Sequence, residues 1–329
     1  MQAKTCTHAL ALGLALVFSG PGAGFAQDAT TAEQTVDTMN KLWGRHPGLR
    51  ANHAKGVVLQ GSFTPTPEAA KLSKASLFAG PAVPVTVRFS DATGLPAIAD
   101  GAKEARPHGL SAKFKLADGS EVDMVLNSLS QFPVATGEEF RDLLVAISQS
   151  GPDVPSPKPV EKFAAAHPSI GAALGPLTTP ESFARQAYNG VNAFVFVDAA
   201  GKRQAFRWRV EPVAGIATLT PEEAGKRPAN FLQEEIVAHV AKEPVAFRFL
   251  AQLAEPGDPT NDATKPWPKE RRTVEMGTLT LTKAVPDSAS AEKALLFLPN
   301  ALTDGIEVSD DPLIDARVQA YAVSFGRRQ

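Results

Sequence analysis

The chain has 329 residues, of which 43% are hydrophobic and 21% are charged, and its formal net charge is −2. This composition is typical of a soluble globular protein, and the length is sufficient for one large core. The charge is close to neutral and no basic run stands out, which argues against a polyanionic partner such as a nucleic acid.

The N-terminal sequence is typical of a secretory signal peptide. Lys4 precedes an apolar run at 9–18, and small residues follow as far as Ala26. The run is too short to span a bilayer, so we expect residues 1–26 to be removed and the protein to be periplasmic or secreted, without stable membrane insertion. A retained membrane anchor is the alternative. The single cysteine, Cys6, lies in this segment, which excludes thiolate haem ligation, disulfides and a cysteine nucleophile in the mature protein.

The elements predicted along the chain are of both kinds. Residues 28–44 have apolar side chains at helical spacing. Strand-like segments follow at 57–63, 83–90, 110–116, 121–127, 191–197, 204–211, 245–253 and 274–281. Further helices are predicted at 137–149, 230–242, 287–297 and 312–325.

Turn sequences at 117–120 and 198–201 join neighbouring strands as hairpins, so the strands pair mostly in antiparallel fashion. The proline-rich stretches 151–159 and 256–268 read as extended surface connections because strand patterns continue on both sides. We therefore predict a single domain over residues 27–329. Its fold is α+β, with an antiparallel barrel of roughly eight strands, a number at which a barrel can close, and with surrounding helices.

Common catalytic motifs are missing from the sequence. The histidines beyond residue 26 do not have the spacing of a zinc site, and HExxH, P-loop, strand-linked GxGxxG and GxSxG motifs are absent. The commonest hydrolase and nucleotide-binding functions are therefore not indicated.

Arg317 and Tyr321 stand four residues apart on the last predicted helix, so their side chains meet on one face. A guanidinium favours the phenolate form of a neighbouring tyrosine, and a phenolate is a suitable ligand for ferric haem iron. Ser324 and Arg328 continue the same stripe. The alternative is a surface contact between arginine and tyrosine on a terminal helix. Tyr188, the other of the two tyrosines, has no arginine four residues before it.

Several segments, in the same order along the chain, resemble those of the catalase family, and specifically the short catalase-related peroxidases that lack the C-terminal region of full catalases. The likeness extends over about residues 43–328. The segments are Arg50-x-x-His53-Ala54-x-Gly56, Val87-Arg88-Phe89-Ser90, Asp123–Asn127, Phe132 with Phe140, Asn192–Phe194 with Trp208-Arg209, Asp258-Pro259, Thr264–Pro268, Gly305–Glu307, and Arg317-x-x-x-Tyr321 with Arg328.

This resemblance implies that His53 lies above the haem face and moves a proton between the two peroxide oxygens. It also implies that Ser90 orients the His53 ring and that Asn127 donates a hydrogen bond to peroxide. For Asn127, a role as a turn residue after a strand remains open.

The cofactor implied by the resemblance is haem b, with Tyr321 as the axial ligand to iron. Its two propionates would be neutralised by Arg50, Arg88 and Arg328. Phe140 would stack near its plane, although simple core packing is an equal alternative for that ring. The implied cofactor-binding residues are Arg50, Arg88, Phe140, Arg317, Tyr321 and Arg328.

The chain departs from full catalases at a few places. Asn52 stands where full catalases usually have valine, the segment after Asn127 is Ser-Leu-Ser, and Ala322-Val323 replaces a usual Pro-Asp. We interpret these changes as a more open and polar access to the haem. We therefore expect a peroxidase that reduces hydrogen peroxide or organic hydroperoxides with small organic reductants and has weak catalase activity. NADPH binding is not expected.

Two other functions remain open at this stage. Proteins with this fold also rearrange fatty-acid hydroperoxides, as allene oxide synthases do, because a fold does not fix a reaction. A periplasmic barrel that binds haem without catalysis is the other alternative, although a carrier needs no distal acid–base group.

Overall fold

The computed structural model describes residues 29–329, so the predicted signal peptide at 1–26 lies outside the described residues. The described strands are β1 (Gly56–Pro65), β2 (Val83–Ser90), β3 (Gly109–Lys115), β4 (Glu121–Asn127), β5 (Thr179–Pro180), β6 (Tyr188–Asn189), β7 (Phe194–Val197), β8 (Arg203–Pro212), β9 (Thr218–Leu219), β10 (Val245–Leu253), β11 (Thr273–Ala284) and β12 (Ile306–Val308). The described α-helices are α1 (Thr31–Trp43), α2 (Ala69–Leu72), α3 (Gly137–Ser148), α4 (Pro159–Ala166), α5 (Pro168–Leu174), α6 (Pro221–Gly225), α7 (Phe231–Val240), α8 (Ser288–Ala294) and α9 (Pro312–Arg328).

Eight strands form a closed antiparallel barrel. The order around the barrel is β1, β2, β3, β4, β6, β8, β10 and β11, and β11 pairs again with β1. β7 and β12 extend the sheet beside β8. The predicted α+β fold and the roughly eight-stranded barrel are therefore confirmed.

The predicted strand at 191–197 is wrong in its first half. The strands that pair with β8 in this region are the short β6, which ends before residue 191, and β7, which begins at Phe194. The chain between β6 and β7 contacts β8 only locally. The N–H of Gly190 donates to the carbonyl of Trp208 at 2.9 Å. A Cβ at position 190 would lie 3.1 Å from the Cβ of Trp208, so this close approach favours glycine and interrupts the strand pattern.

Aromatic side chains fill the barrel interior. The ring of Phe63 lies 5.3 Å from that of Phe114 and 5.6 Å from that of Phe249, both in edge-to-face geometry, and all three rings are fully buried. An eight-stranded barrel has an interior that side chains can fill completely. A large cofactor therefore belongs outside this barrel, between its wall and the helices.

The predicted helices at 28–44, 137–149, 230–242, 287–297 and 312–325 correspond to α1, α3, α7, α8 and α9, with end shifts of up to three residues. α4 and α5 were not predicted, although each begins with a proline at its first turn, which is a helix-start signal. α1 packs against α3 and α9. None of the helices within residues 29–329 is both long enough and apolar enough to cross a membrane.

Candidate active site

The segment before β1 holds His53 in an unusual backbone conformation. Its φ is 56°, in the left-handed region that side-chain-bearing residues seldom occupy. Oδ1 of Asn52 accepts hydrogen bonds from the backbone N–H groups of His53 (3.0 Å) and Thr93 (2.8 Å), and Arg88 donates to the His53 carbonyl at 2.8 Å. Asn52, which we expected to make the cofactor access more polar, thus directs its oxygen to the backbone. A strained residue held from several sides is typical of a functional site.

The His53 ring is oriented by β2 and β3. Its Nδ1 lies 3.1 Å from Oγ of Ser90, the last residue of β2, as the predicted orienting role requires. Ser90 pairs with Gly109 at the start of β3. A Cβ at position 109 would lie 2.7 Å from the Ser90 hydroxyl and 3.4 Å from the imidazole, so glycine makes room for this contact.

Burial and nearby positive charge keep the imidazole neutral. Burial lowers the pKa of His53 to about 3, and the charges of Arg88, Arg50 and Arg317 contribute to this shift. A neutral imidazole carries one nitrogen that can accept a proton and one that can donate.

Asn127 lies at the end of β4, opposite Gly109 of β3. Its Oδ1 accepts a hydrogen bond from the backbone N–H of Leu129 at 2.9 Å. This is the turn contact that was the alternative for this residue, and it also fixes the orientation of the amide. With Oδ1 directed to the backbone, Nδ2 is the end of the amide that can donate to a ligand.

On α9, the predicted pair of Arg317 and Tyr321 is in contact. Nε of Arg317 donates to Oη of Tyr321 at 3.2 Å. Arg317 is itself held by the side-chain oxygen of Asn192 and by the carbonyl of Val125 at 3.4 Å. Nδ2 of Asn192 donates to Asp311 at 2.8 Å, and Asp311 caps the first turn of α9. A series of polar contacts thus connects Asp311, at the start of α9, to the phenol of Tyr321 on the same helix and holds the phenol in place.

The segment carrying His53 and the helix carrying Tyr321 are directly joined. The backbone N–H of Ala51 donates to Oγ of Ser324 at 3.1 Å. Arg317 reaches the backbone of β4 through Val125, two residues before Asn127. His53, Asn127 and Tyr321 therefore belong to one site on the outside of the barrel.

Arg50, Arg88 and Arg328 converge on the end of α8. Arg88 lies 2.7 Å and Arg50 lies 3.2 Å from the same carboxylate oxygen of Glu292. The carbonyl of Leu295 accepts from Arg50 at 2.8 Å and also from Arg328. The three arginines that were predicted to bind propionates are therefore gathered in one place.

The charges of this cluster fit a dianionic cofactor. Three guanidinium groups face one carboxylate, which leaves two positive charges in a largely buried region. Within the described residues, Nε of Arg88 and Nε of Arg328 are buried without a hydrogen-bond partner. Burial of unpaired charge is costly, so a group with two carboxylates, such as haem with its propionates, suits the cluster. The phenol of Tyr321 is a suitable ligand for its iron.

Phe140 lies on α3 among apolar side chains. Its ring is 5.4 Å from that of Phe132, and both pack with the buried cluster of Val134, Leu143 and Ile170. The contacts of Phe140 are those expected for core packing, and its stacking on the cofactor remains a prediction. His108 is fully buried, and burial lowers its pKa to about 3.

Three residues of the site were not predicted. Asn192 lies in a segment noted for its resemblance, but its contact with Arg317 depends on the fold. Asp311 could have been recognised as a helix cap because it precedes Pro312 at the start of α9. Glu292 carries no such signal, since a single glutamate in a short helix usually faces solvent.

Comparisons with known proteins agree with the barrel fold. The family model described as Catalase matches residues 25–328. A catalase-related peroxidase of Synechococcus elongatus is 35% identical and covers 97% of this chain and 96% of its own length. One from Mycolicibacterium paratuberculosis is 34% identical, with 91% and 95% covered. A fungal catalase structure superimposes with a TM-score of 0.77 at 20% identity, over 86% of this chain.

The closed eight-stranded barrel and the match to the family model define a protein of the catalase type. The chain belongs to the catalase family. It spans about 60% of the length of the fungal catalase that it resembles in structure.

Proposed function

We propose that this protein is a haem-dependent peroxidase that reduces hydrogen peroxide or organic hydroperoxides with small organic electron donors. The observation that carries the proposal is the single site in which His53, backed by Ser90, is joined to the helix of Tyr321 and Arg317. The match to the catalase family and to two catalase-related peroxidases supports it.

The proposed cofactor is haem b. Tyr321 would ligate the iron, and Arg317 beside it would stabilise the phenolate by charge and by its hydrogen bond. Arg50, Arg88 and Arg328 would bind the two propionates. When bound, the haem would pass two electrons to peroxide, and the organic donor would then replace them.

The other residues then have roles in binding peroxide and moving its proton. Neutral His53 accepts a proton from one peroxide oxygen and returns it to the other, which leaves as water from hydrogen peroxide or as the alcohol from an organic hydroperoxide. Ser90 fixes the ring orientation needed for both transfers. Nδ2 of Asn127 donates a hydrogen bond to the oxygen that becomes negative as the O–O bond lengthens.

Neither alternative function is favoured. A haem carrier has no need of a strained, partly buried and neutral histidine in its site, because binding alone requires no proton transfer. Hydroperoxide rearrangement differs from reduction in its products. Analysis of the products formed from a lipid hydroperoxide in the presence of a phenolic donor distinguishes the two, since reduction yields the alcohol and an oxidised donor.

The proposal is tested with haem-loaded wild-type protein and His53→Ala. Wild type should oxidise a phenolic or azo dye with peroxide and evolve little oxygen at an oxygen electrode. His53→Ala should retain haem and lose about 10²–10⁴-fold in the rate of peroxide reduction, because a placed proton-transfer group contributes on that scale. His239→Ala, on α7 and paired with Glu235, is the matched control and should keep its rate.

A His53→Ala variant as fast as wild type would contradict the distal assignment. Complete loss of haem from that variant would instead indicate that His53 is an iron ligand and would reopen the assignment of Tyr321.

We also propose export, with cleavage after Ala26 and a periplasmic or secreted location. The support is the composition of residues 1–26 and the position of the only cysteine within them. N-terminal sequencing of the protein recovered outside the cytoplasm should begin at Gln27. Recovery of uncleaved chain from the cytoplasm alone would contradict export.

A further inference from the structure

Glu292 is a buried carboxylate in the arginine cluster. It lies on the short helix α8, and its side chain is only 7% exposed. One oxygen contacts Arg88 at 2.7 Å and Arg50 at 3.2 Å. Glutamate is seldom buried unless it is paired, so this position serves the two arginines.

α8 is anchored so that Glu292 cannot easily move away. The N–H of Val58 in β1 donates to Oγ of Ser288 at 3.1 Å, and the N–H of Val285 donates to the Val58 carbonyl at 2.8 Å. At the other end of α8, the carbonyl of Leu295 accepts hydrogen bonds from Arg50 and Arg328. The carboxylate therefore has a fixed place against the barrel wall.

Charge within the cluster is unbalanced without a further anion. Burial, with the charges of Arg88 and Arg328, lowers the pKa of Arg50 to about 8, and Glu292 opposes that shift. Burial, followed by the charge of Arg88, lowers the pKa of Arg328 to about 10, and Glu292 opposes this shift as well. Among the described residues, Glu292 is the carboxylate that forms ion pairs with Arg50 and Arg88.

We propose that Glu292 sets the charge of the cofactor cradle, holding it at two net positive charges so that it matches a ligand with two carboxylates. Glu292 thus acts on the ligand indirectly, through its charge beside Arg50 and Arg88. This inference rests on the proposed haem function. It predicts that Glu292→Gln, which removes the negative charge but keeps the size and an oxygen acceptor, raises the affinity for an anionic porphyrin relative to that for a neutral porphyrin.

The test compares ferric protoporphyrin IX with its dimethyl ester, in which both carboxylates are neutral. Each is titrated into cofactor-free wild type and Glu292→Gln, and the ratio of the two affinities is determined from the Soret absorbance. The ratio should rise by about tenfold or more in Glu292→Gln, because one unit of negative charge is removed near the carboxylates in a region of low dielectric. Glu292→Asp, which keeps the charge, should stay near the wild-type ratio.

Glu211→Gln is the matched control. Glu211 pairs with Arg248 at 2.7 Å on the exposed side of β8 and β10. The ratio of the two porphyrin affinities in Glu211→Gln should therefore equal that of wild type. A ratio for Glu292→Gln equal to wild type would overturn the proposal, since the charge would then have no influence on the ligand. A lower ratio would also overturn it, because the carboxylate would then be required to assemble the arginines.

A second measurement, the melting temperature, does not depend on comparing two porphyrins. Cofactor-free Glu292→Gln should melt at a lower temperature than wild type, because Arg88 and Arg50 then lack their carboxylate partner, and haem should restore most of the difference. An unchanged melting temperature would contradict the proposed counter-ion role.

If Glu292→Gln folds only with haem present, the rate of haem transfer to apomyoglobin replaces the titration and should be slower than for wild type. A faster rate would overturn the proposal. Failure of wild type to bind haem at all would refute the proposed function itself, whereas an unchanged ratio in a wild type that binds haem refutes only the role of Glu292.

Discussion

The backbone N–H of Ala51 donates a hydrogen bond to Oγ of Ser324 at 3.1 Å. Ala51 is two residues before His53, and Ser324 is three residues after Tyr321 on α9. The two sides of the proposed haem site are therefore joined by a direct contact between elements that are distant in the sequence. The position of His53 relative to the proposed iron ligand depends in part on this bond.

Ser324→Ala should destabilise the protein by about 1 kcal/mol, the usual net contribution of one hydrogen bond whose partner stays partly buried. Peroxide turnover should fall more than haem content, because the contact sets the distance between the two sides. Urea unfolding and steady-state kinetics measure the two effects. Gln319→Ala, at an exposed position of α9, is the control. Equal behaviour of the two variants would show that the contact is unimportant.

Asn52→Val should lower the free energy of unfolding by about 1–3 kcal/mol, because the N–H groups of His53 and Thr93 both lose their acceptor. Turnover should fall while haem remains bound, since His53 would be free to leave its left-handed conformation. Asn52→Asp keeps the acceptor oxygen and should retain most of the activity. If valine left turnover unchanged, the Asn52 amide would not be what positions His53.

The activity should not titrate with a histidine of ordinary pKa. Burial and the charge of Arg88 lower the pKa of His53 to about 3, so the imidazole stays neutral as the pH falls through 6.5 and becomes protonated only near pH 3. The value of kcat/KM for peroxide should therefore be flat from about pH 5 to 8 as far as this group is concerned. A decline centred near pH 6.5 that is absent from His53→Ala would contradict this environment of the ring.

Much of this site could be predicted from the sequence, and the remainder depended on three-dimensional contacts. The pairing of Arg317 with Tyr321 follows from helical periodicity, which is local. The contacts of Ser324 with Ala51 and of Glu292 with Arg88 join segments separated by more than 200 residues, and no local pattern specifies them. Asn52 was interpreted from its polarity alone, and only the loop geometry shows that its oxygen faces the backbone.

The barrel shows the same division. Strands bounded by clear turns, such as β3 and β4, were predicted to within one or two residues. The break between β6 and β7 arises from the close approach of Gly190 to Trp208, which is a property of the packed barrel.

Arg317→Ala should weaken haem binding by about 10- to 100-fold, because a charge-assisted hydrogen bond to the ligand oxygen is removed. Arg317→Lys should restore only part of the affinity, since lysine lacks the planar fork that also reaches Asn192. Haem titration into the cofactor-free variants gives both values. Arg248→Ala, whose arginine pairs with Glu211 at the surface, is the control, and equal affinities for it and Arg317→Ala would contradict the role of Arg317.

The central claim is that Tyr321 ligates the iron of a bound haem, and the absorption spectrum of the haem-reconstituted protein tests it most directly. Wild type should give a high-spin ferric spectrum with a tyrosinate ligand. Tyr321→Phe should fold and lose most of its haem, whereas Tyr188→Phe should keep both haem and spectrum, because the Tyr188 hydroxyl donates to the carbonyl of Phe183. Full haem content with an unchanged spectrum in Tyr321→Phe would contradict the account.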